Sequence, residues 1–68
     1  MTASTGYVHE TADVAPNASI AAGAKIWHYA QIRENAQIGA NVIVGRGAYV
    51  GTGVEVGDNC KIQNYALV

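Results

Sequence analysis

Residues 38–62 read IGANVIVGRGAYVGTGVEVGDNCKI. Ile38, Val44, Val50, Val56 and Ile62 fall six residues apart. The same spacing extends back through Ile32, Ile26, Ile20, Val14 and Val8 and forward to Val68, without a slip. Only Val42, Ile43 and Val54 are Val or Ile outside this grid. A second grid lies four residues after the first: Ala12, Ala18, Ala24, Ala30, Ala36, Val42, Ala48, Val54, Cys60 and Ala66. Its members are small or medium and uncharged. A six-residue period matches neither the 3.6-residue helix nor a long alternating strand. It is the period of a hexapeptide-repeat parallel β-helix, which is all-β. An amphipathic helix fails, because apolar residues six apart wander round it and recurrent Gly or Asn breaks it.

Taking the aliphatic residue as position one of a hexad, positions one and five are expected to point inward. Position four reads Thr11, Asn17, Gly23, Tyr29, Asn35, Asn41, Gly47, Gly53, Asn59 and Tyr65. Gly and Asn, which dominate this set, tolerate a positive φ. Pro16-Asn17 reads as a type II turn, with Pro at the first central position and a left-handed residue at the second. Each hexad is therefore a short strand and a tight corner. Three such corners would close one triangular coil of eighteen residues, about three coils in all, although the hexad period alone fixes neither three per coil nor the handedness. Residues 1–7 are a lead-in off the grid, and residues 8–68 are the repeat.

Sixty-eight residues, half of them apolar but mostly Ala and Val with no Phe, cannot fill an ordinary globular core. Thin stacked coils use such residues well. A net charge of -1 and a pI near 6.0 leave no basic footprint for nucleic acid or an anionic membrane. Cys60 is the single cysteine, so no internal disulfide is expected, and its grid position places it inward as packing. Residues 1–10 do not read as a signal peptide, and no stretch is long and apolar enough to cross a membrane. A cytoplasmic protein is the expectation.

The runs Ile38-Gly39-Ala40-Asn41-Val42, Val44-Gly45-Arg46-Gly47-Ala48 and Val56-Gly57-Asp58-Asn59-Cys60 resemble the repeat of the hexapeptide acyltransferases. The resemblance covers residues 8–68. It implies a left-handed parallel β-helix, a homotrimer, and acetyl-CoA and acceptor bound in clefts between subunits. Tyr7-Val8-His9, Lys25-Ile26-Trp27-His28-Tyr29 and Lys61-Ile62-Gln63-Asn64 resemble more narrowly one group of bacterial N-acetyltransferases. These acetylate the 3-amino group of UDP-2-acetamido-3-amino-2,3-dideoxyglucuronate for the O-antigen of lipopolysaccharide. Members of that group are longer, so the repeat is expected to be truncated at its C-terminal end and to be inactive alone.

Stacking at eighteen residues sorts the corners into three columns. Two obey the Gly/Asn rule and carry no distinctive chemistry. The third holds His9-Glu10-Thr11, Trp27-His28-Tyr29, Gly45-Arg46-Gly47 and Gln63-Asn64-Tyr65, and collects both histidines and the only Trp. Departure from a local rule marks it as the ligand-facing or subunit-facing edge. The candidate substrate-binding residues are His28, Tyr29, Arg46, Gln63 and Asn64. His28 either contacts a nucleotide sugar or bonds a neighbouring backbone group. Arg46 pairs with a diphosphate through its planar fork, or with solvent or Glu10. Gln63 and Asn64 bond a sugar amide or form a polar ladder. Trp27 and Tyr29 stack on uracil or bury in a subunit interface. No base–orienter pair is visible, so the catalytic residues are unknown. Two histidines are too few for the three-histidine zinc site of a hydratase. The alternatives are a hexapeptide acyltransferase with another acceptor (a serine, a maltose-type sugar or a tetrahydrodipicolinate) and a non-enzymatic β-solenoid scaffold.

Overall fold

A computed structural model describes residues 6–68, so most of the lead-in lies outside the described residues. Ten two-residue strands follow one another: β1 (Tyr7–Val8), β2 (Asp13–Val14), β3 (Ser19–Ile20), β4 (Lys25–Ile26), β5 (Gln31–Ile32), β6 (Gln37–Ile38), β7 (Ile43–Val44), β8 (Tyr49–Val50), β9 (Glu55–Val56) and β10 (Lys61–Ile62). They form three parallel sheets, β1-β4-β7-β10, β2-β5-β8 and β3-β6-β9. Every pairing joins residues eighteen apart, as in Lys25 with Ile43 and Ile26 with Val44. The molecule is a parallel β-solenoid of about three turns without a helix among the described residues, the architecture of the hexapeptide left-handed β-helix. Tyr7, assigned to the lead-in from the sequence, is the first residue of β1.

The two inward grids make the core. Ile26, Ile32, Val42, Val44 and Val50 are fully buried, with Ala24, Ala30, Ala36 and Ala48 filling the narrow corners between them. Each buried aliphatic side chain contributes about 1.5–3 kcal/mol. Grid members near the ends are less covered: Val8, Val14 and Val56 are half-buried. Cys60 corrects an expectation. It follows Val42 in the same inward column, yet it is exposed in the last coil of the described residues.

The corners tie the coils together. At Asn41, Gly47, Gly53, Asn59 and Tyr65, all left-handed at position four, the amide donates to the position-three carbonyl of the coil before. Asn41 N–H bonds Ala22 O at 3.0 Å, Gly53 N–H bonds Glu34 O at 2.9 Å and Asn59 N–H bonds Ala40 O at 2.8 Å. A type II turn turns its central peptide along the stacking axis and requires a positive φ at the second central residue. Eight of the ten position-four residues have it. Thr11 and Asn17 do not, so the expectation of a type II turn at Pro16-Asn17 fails. Both lie in the first coil, in which Gly23 is nevertheless left-handed. Their side chains accept the bond from above. Thr11 Oγ1 takes Tyr29 N–H at 3.0 Å and Asn17 Oδ1 takes Asn35 N–H at 3.3 Å.

Two of the position-two glycines, Gly39 and Gly45, are sites of close approach. A Cβ at Gly39 would lie 2.8 Å from both Asp58 N and Val56 O, backbone atoms of the next coil. A Cβ at Gly57 would meet nothing within 4 Å. Gly39→Ala is therefore expected to destabilise the protein by about 1–3 kcal/mol through overpacking. Gly57→Ala should be neutral or stabilise by up to about 1 kcal/mol through the unfolded chain. Thermal melts of the two variants side by side check the difference.

Polar side chains bridge coils on the second sheet's edge. Arg33 Nη1 donates to Asp13 Oδ2 at 3.3 Å and Nη2 to Glu34 Oε2 at 2.9 Å, while Thr52 Oγ1 lies 3.4 Å from Glu34 Oε1. The Glu34 carboxyl is held below its ordinary value of 4.5, first by a backbone hydrogen bond, then by Arg33 and Thr52, against a desolvation that raises it. The folded state thus favours charged Glu34. Its contribution is present above the ordinary value and is lost as pH falls through the lower, folded one. Glu34→Gln should flatten this part of the acid side of a stability–pH curve read by denaturant titration.

Candidate functional site

The corner column after the first sheet is built from hexad positions two to four of β1, β4, β7 and β10. Position two gives its relief. Trp27 projects here and leans on Tyr7, with ring centroids 5.4 Å apart. The next residue up the column is Gly45, where a Cβ would meet Asn64 N at 2.7 Å and Ile62 O at 2.8 Å, so no side chain fits. Gln63 follows above it. The result is a depression of about 340 Å³ lined by Trp27, Ile43, Gly45, Lys61, Ile62, Gln63 and Asn64. A second depression, of about 490 Å³, runs along the third sheet over Ser19, Gln37, Gly39, Glu55 and Gly57. Composition of the corners had singled out nothing there, yet the glycines at position two hollow that edge in the same way.

Position four carries strain. Tyr29 and Tyr65 sit at φ 60° and 63°, in the left-handed region, although neither is Gly or Asn. A bulky residue there costs roughly 1–2 kcal/mol. Stacking explains the conformation: Tyr65 N–H must reach Arg46 O, at 2.8 Å, as every upper corner reaches the one below. It does not explain the residue type, since both rings are mostly exposed. Gly47 lies between them at φ 67° and leaves the space that the Tyr65 ring occupies. Strained, exposed aromatic corners fit a functional edge.

Position three adds polar groups. The Arg46 guanidinium lies over the Tyr29 ring, 5.8 Å from its centroid, a cation–π contact worth about 0.5–1 kcal/mol when exposed. Asn64 Oδ1 accepts Arg46 N–H at 2.8 Å, which leaves the Asn64 amide group as its remaining donor. His28 stacks on His9, with centroids 3.7 Å apart, and lies nearly parallel to Trp27. No carboxylate side chain bonds His28 among the described residues. Glu10 makes no salt bridge to Arg46.

All five residues singled out from the sequence therefore share one edge, in two groups. His28, Tyr29 and Arg46 form its aromatic and cationic part. Gln63 and Asn64 rim the depression with Trp27. Lys61, on the outward row of β10, joins that rim and had not been singled out; its outward register beside position two was the available signal. Thr11, not singled out from the sequence, accepts the Tyr29 N–H through its hydroxyl and donates its own N–H to His9 Nδ1.

The repeat family described as bacterial transferase hexapeptide (six repeats) matches residues 17–52 and 35–68, most of the chain. The chain belongs to the bacterial transferase hexapeptide family. That family consists in general of acyltransferases, which makes this chain an acyltransferase-type module. No curated protein and no solved structure matches it. In this hexapeptide chain the repeat accounts for the prism, and the tyrosines at position four depart from it. Tyr65→Asn, which keeps the left-handed turn at lower strain, should raise stability by about 1 kcal/mol. A denaturant midpoint that falls instead would mean that ring packing outweighs the strain.

Proposed function

We propose that the chain is the repeat portion of an acetyl-CoA-dependent N-acetyltransferase whose acceptor is the amine of a UDP-linked amino sugar used in surface polysaccharide (O-antigen) synthesis. Family membership supports the acyl transfer. The observation that carries the acceptor reading is the third corner column, where Tyr29 and Tyr65 occupy strained backbone beside Arg46 and the Trp27 depression. Aromatic faces suit a uracil ring. The Arg46 fork suits a diphosphate. Gln63 and the free amide of Asn64 suit the sugar's acetamido and hydroxyl groups. In this reading the working form is a cytoplasmic homotrimer, with the cleft completed by a neighbouring subunit.

The sugar amine nitrogen attacks the thioester carbonyl carbon, the C–S bond breaks, and CoA leaves as the thiol while the amine loses a proton. The ammonium must first be deprotonated and the tetrahedral oxyanion stabilised. In this reading His28 touches the sugar nucleotide; its ring against His9, without a bonded carboxylate to orient it, argues against the role of base.

The test is release of CoA thiol by the natural protein that carries this chain. UDP-amino sugars are compared with a serine, a maltose-type sugar and a tetrahydrodipicolinate. The reading predicts turnover with the UDP-linked amines; turnover only with the others, or none, contradicts it. Arg46→Ala should raise KM for the UDP sugar by roughly tenfold to a hundredfold with kcat little changed, the loss of one charge-assisted hydrogen bond of about 1.5–3 kcal/mol. A fall in kcat at constant KM would remove Arg46 from this role.

A further inference from the structure

Charge is segregated on this prism. The outward row of the first sheet carries Lys25 and Lys61, and the corner beside it Arg46, against one carboxylate, Glu10. On the second sheet Arg33 is met by Asp13 and Glu34. The outward row of the third sheet reads Ser19, Gln37 and Glu55, its corners add Asp58, and no Lys, Arg or His lies there. Asp58 Oδ1 is taken by Ala40 N–H at 2.8 Å. Glu55, Lys25 and Lys61 are exposed and have no ion-pair partner among the described residues. Relief follows charge. Trp27 stands out on the cationic side, and the depression of about 490 Å³ beside Gly39 and Gly57 lies on the acidic side.

We propose that the first-sheet face of one copy packs against the third-sheet face of a second copy, with Lys61 paired to Glu55 of that neighbour. The pairing rests on the self-associating form proposed above and adds which faces meet. Register supports it. β9 and β10 are consecutive strands, so Glu55 and Lys61 differ in height by only a third of the rise between coils, itself about 4.8 Å. A copy turned about an axis parallel to the stack keeps its heights. Lys61 then faces the neighbour's Glu55, Ile43 its Gln37 and Lys25 its Ser19. A contact of the first face with itself would instead set lysines against lysines, which costs free energy. Each copy offers one cationic and one acidic face, so the contact is heterologous and repeats until the rotation closes a ring. Lys61 rims the Trp27 depression, so the neighbour's Glu55 and Gln37 become its outer wall.

The experiment is a charge swap in the natural protein that carries this chain. Sedimentation velocity reads the assembly, and fluorescence energy transfer between labelled copies reads the rate of subunit exchange. Glu55→Lys and Lys61→Glu each set like charges opposite one another across the contact. Each should dissociate the assembly or speed exchange about tenfold or more. The double variant reverses both faces and should return exchange to within about threefold of the unaltered protein. Both positions are exposed and outward, so the coil keeps its core in every variant. A monomeric unaltered protein overturns the pairing and the self-associating form together. An assembly that neither single variant disturbs, or a double variant as weak as the single ones, overturns the pairing alone. CoA release with UDP-linked amines tests the acceptor separately.

Discussion

Each coil of this solenoid hangs on backbone amides that run along the stacking axis. In the strands they join residues eighteen apart in parallel register, and at the corners they run in the reverse sense, from position four to the coil before. Buried or half-buried backbone groups must find partners, and a narrow prism offers only the neighbouring coil. That demand dictates a left-handed residue every six positions. It also dictates glycine at Gly39 and Gly45, where the next coil's backbone passes too close for a side chain. The aliphatic columns fill what this hydrogen-bonded frame encloses.

Function enters where the frame is met at a cost. Asn35, Asn41, Asn59, Gly23, Gly47 and Gly53 take the left-handed turn at little strain. Tyr29 and Tyr65 take it against their own preference, on one edge, with exposed rings. The same edge carries Arg46, the stacked histidines and a depression that exists because Gly45 lacks a side chain between Trp27 and Gln63. Strain, charge and relief coincide there and nowhere on the second sheet's edge, where Asp13, Arg33, Glu34 and Thr52 satisfy one another.

The prism was legible because its core has one residue per hexad in each role, so that burial repeats with the chain's own period. Ile26, Val44 and Ile62 stack as their spacing requires. The ends were less legible, since a periodic reading assumes a neighbour on both sides. Asn17, in the first coil, stays out of the left-handed region, and Cys60, in the last, is exposed. Composition located the unusual corner column but not its mechanics. A tyrosine at position four looked like a broken turn rule, whereas the backbone keeps the rule and the side chain bears the strain. The link from His9 through Thr11 to Tyr29 spans two coils and depends on a turn type that residue identity did not reveal.

The central claim is that corner amides reach the preceding coil whatever residue supplies them. Scalar coupling across hydrogen bonds, measured by NMR, tests it most directly. The account predicts a coupling from the Tyr65 amide nitrogen to the Arg46 carbonyl, together with positive φ at Tyr65, and none from Tyr29 to any backbone carbonyl, since its acceptor is the Thr11 hydroxyl. Negative φ at Tyr65 with no coupling to Arg46 would contradict it.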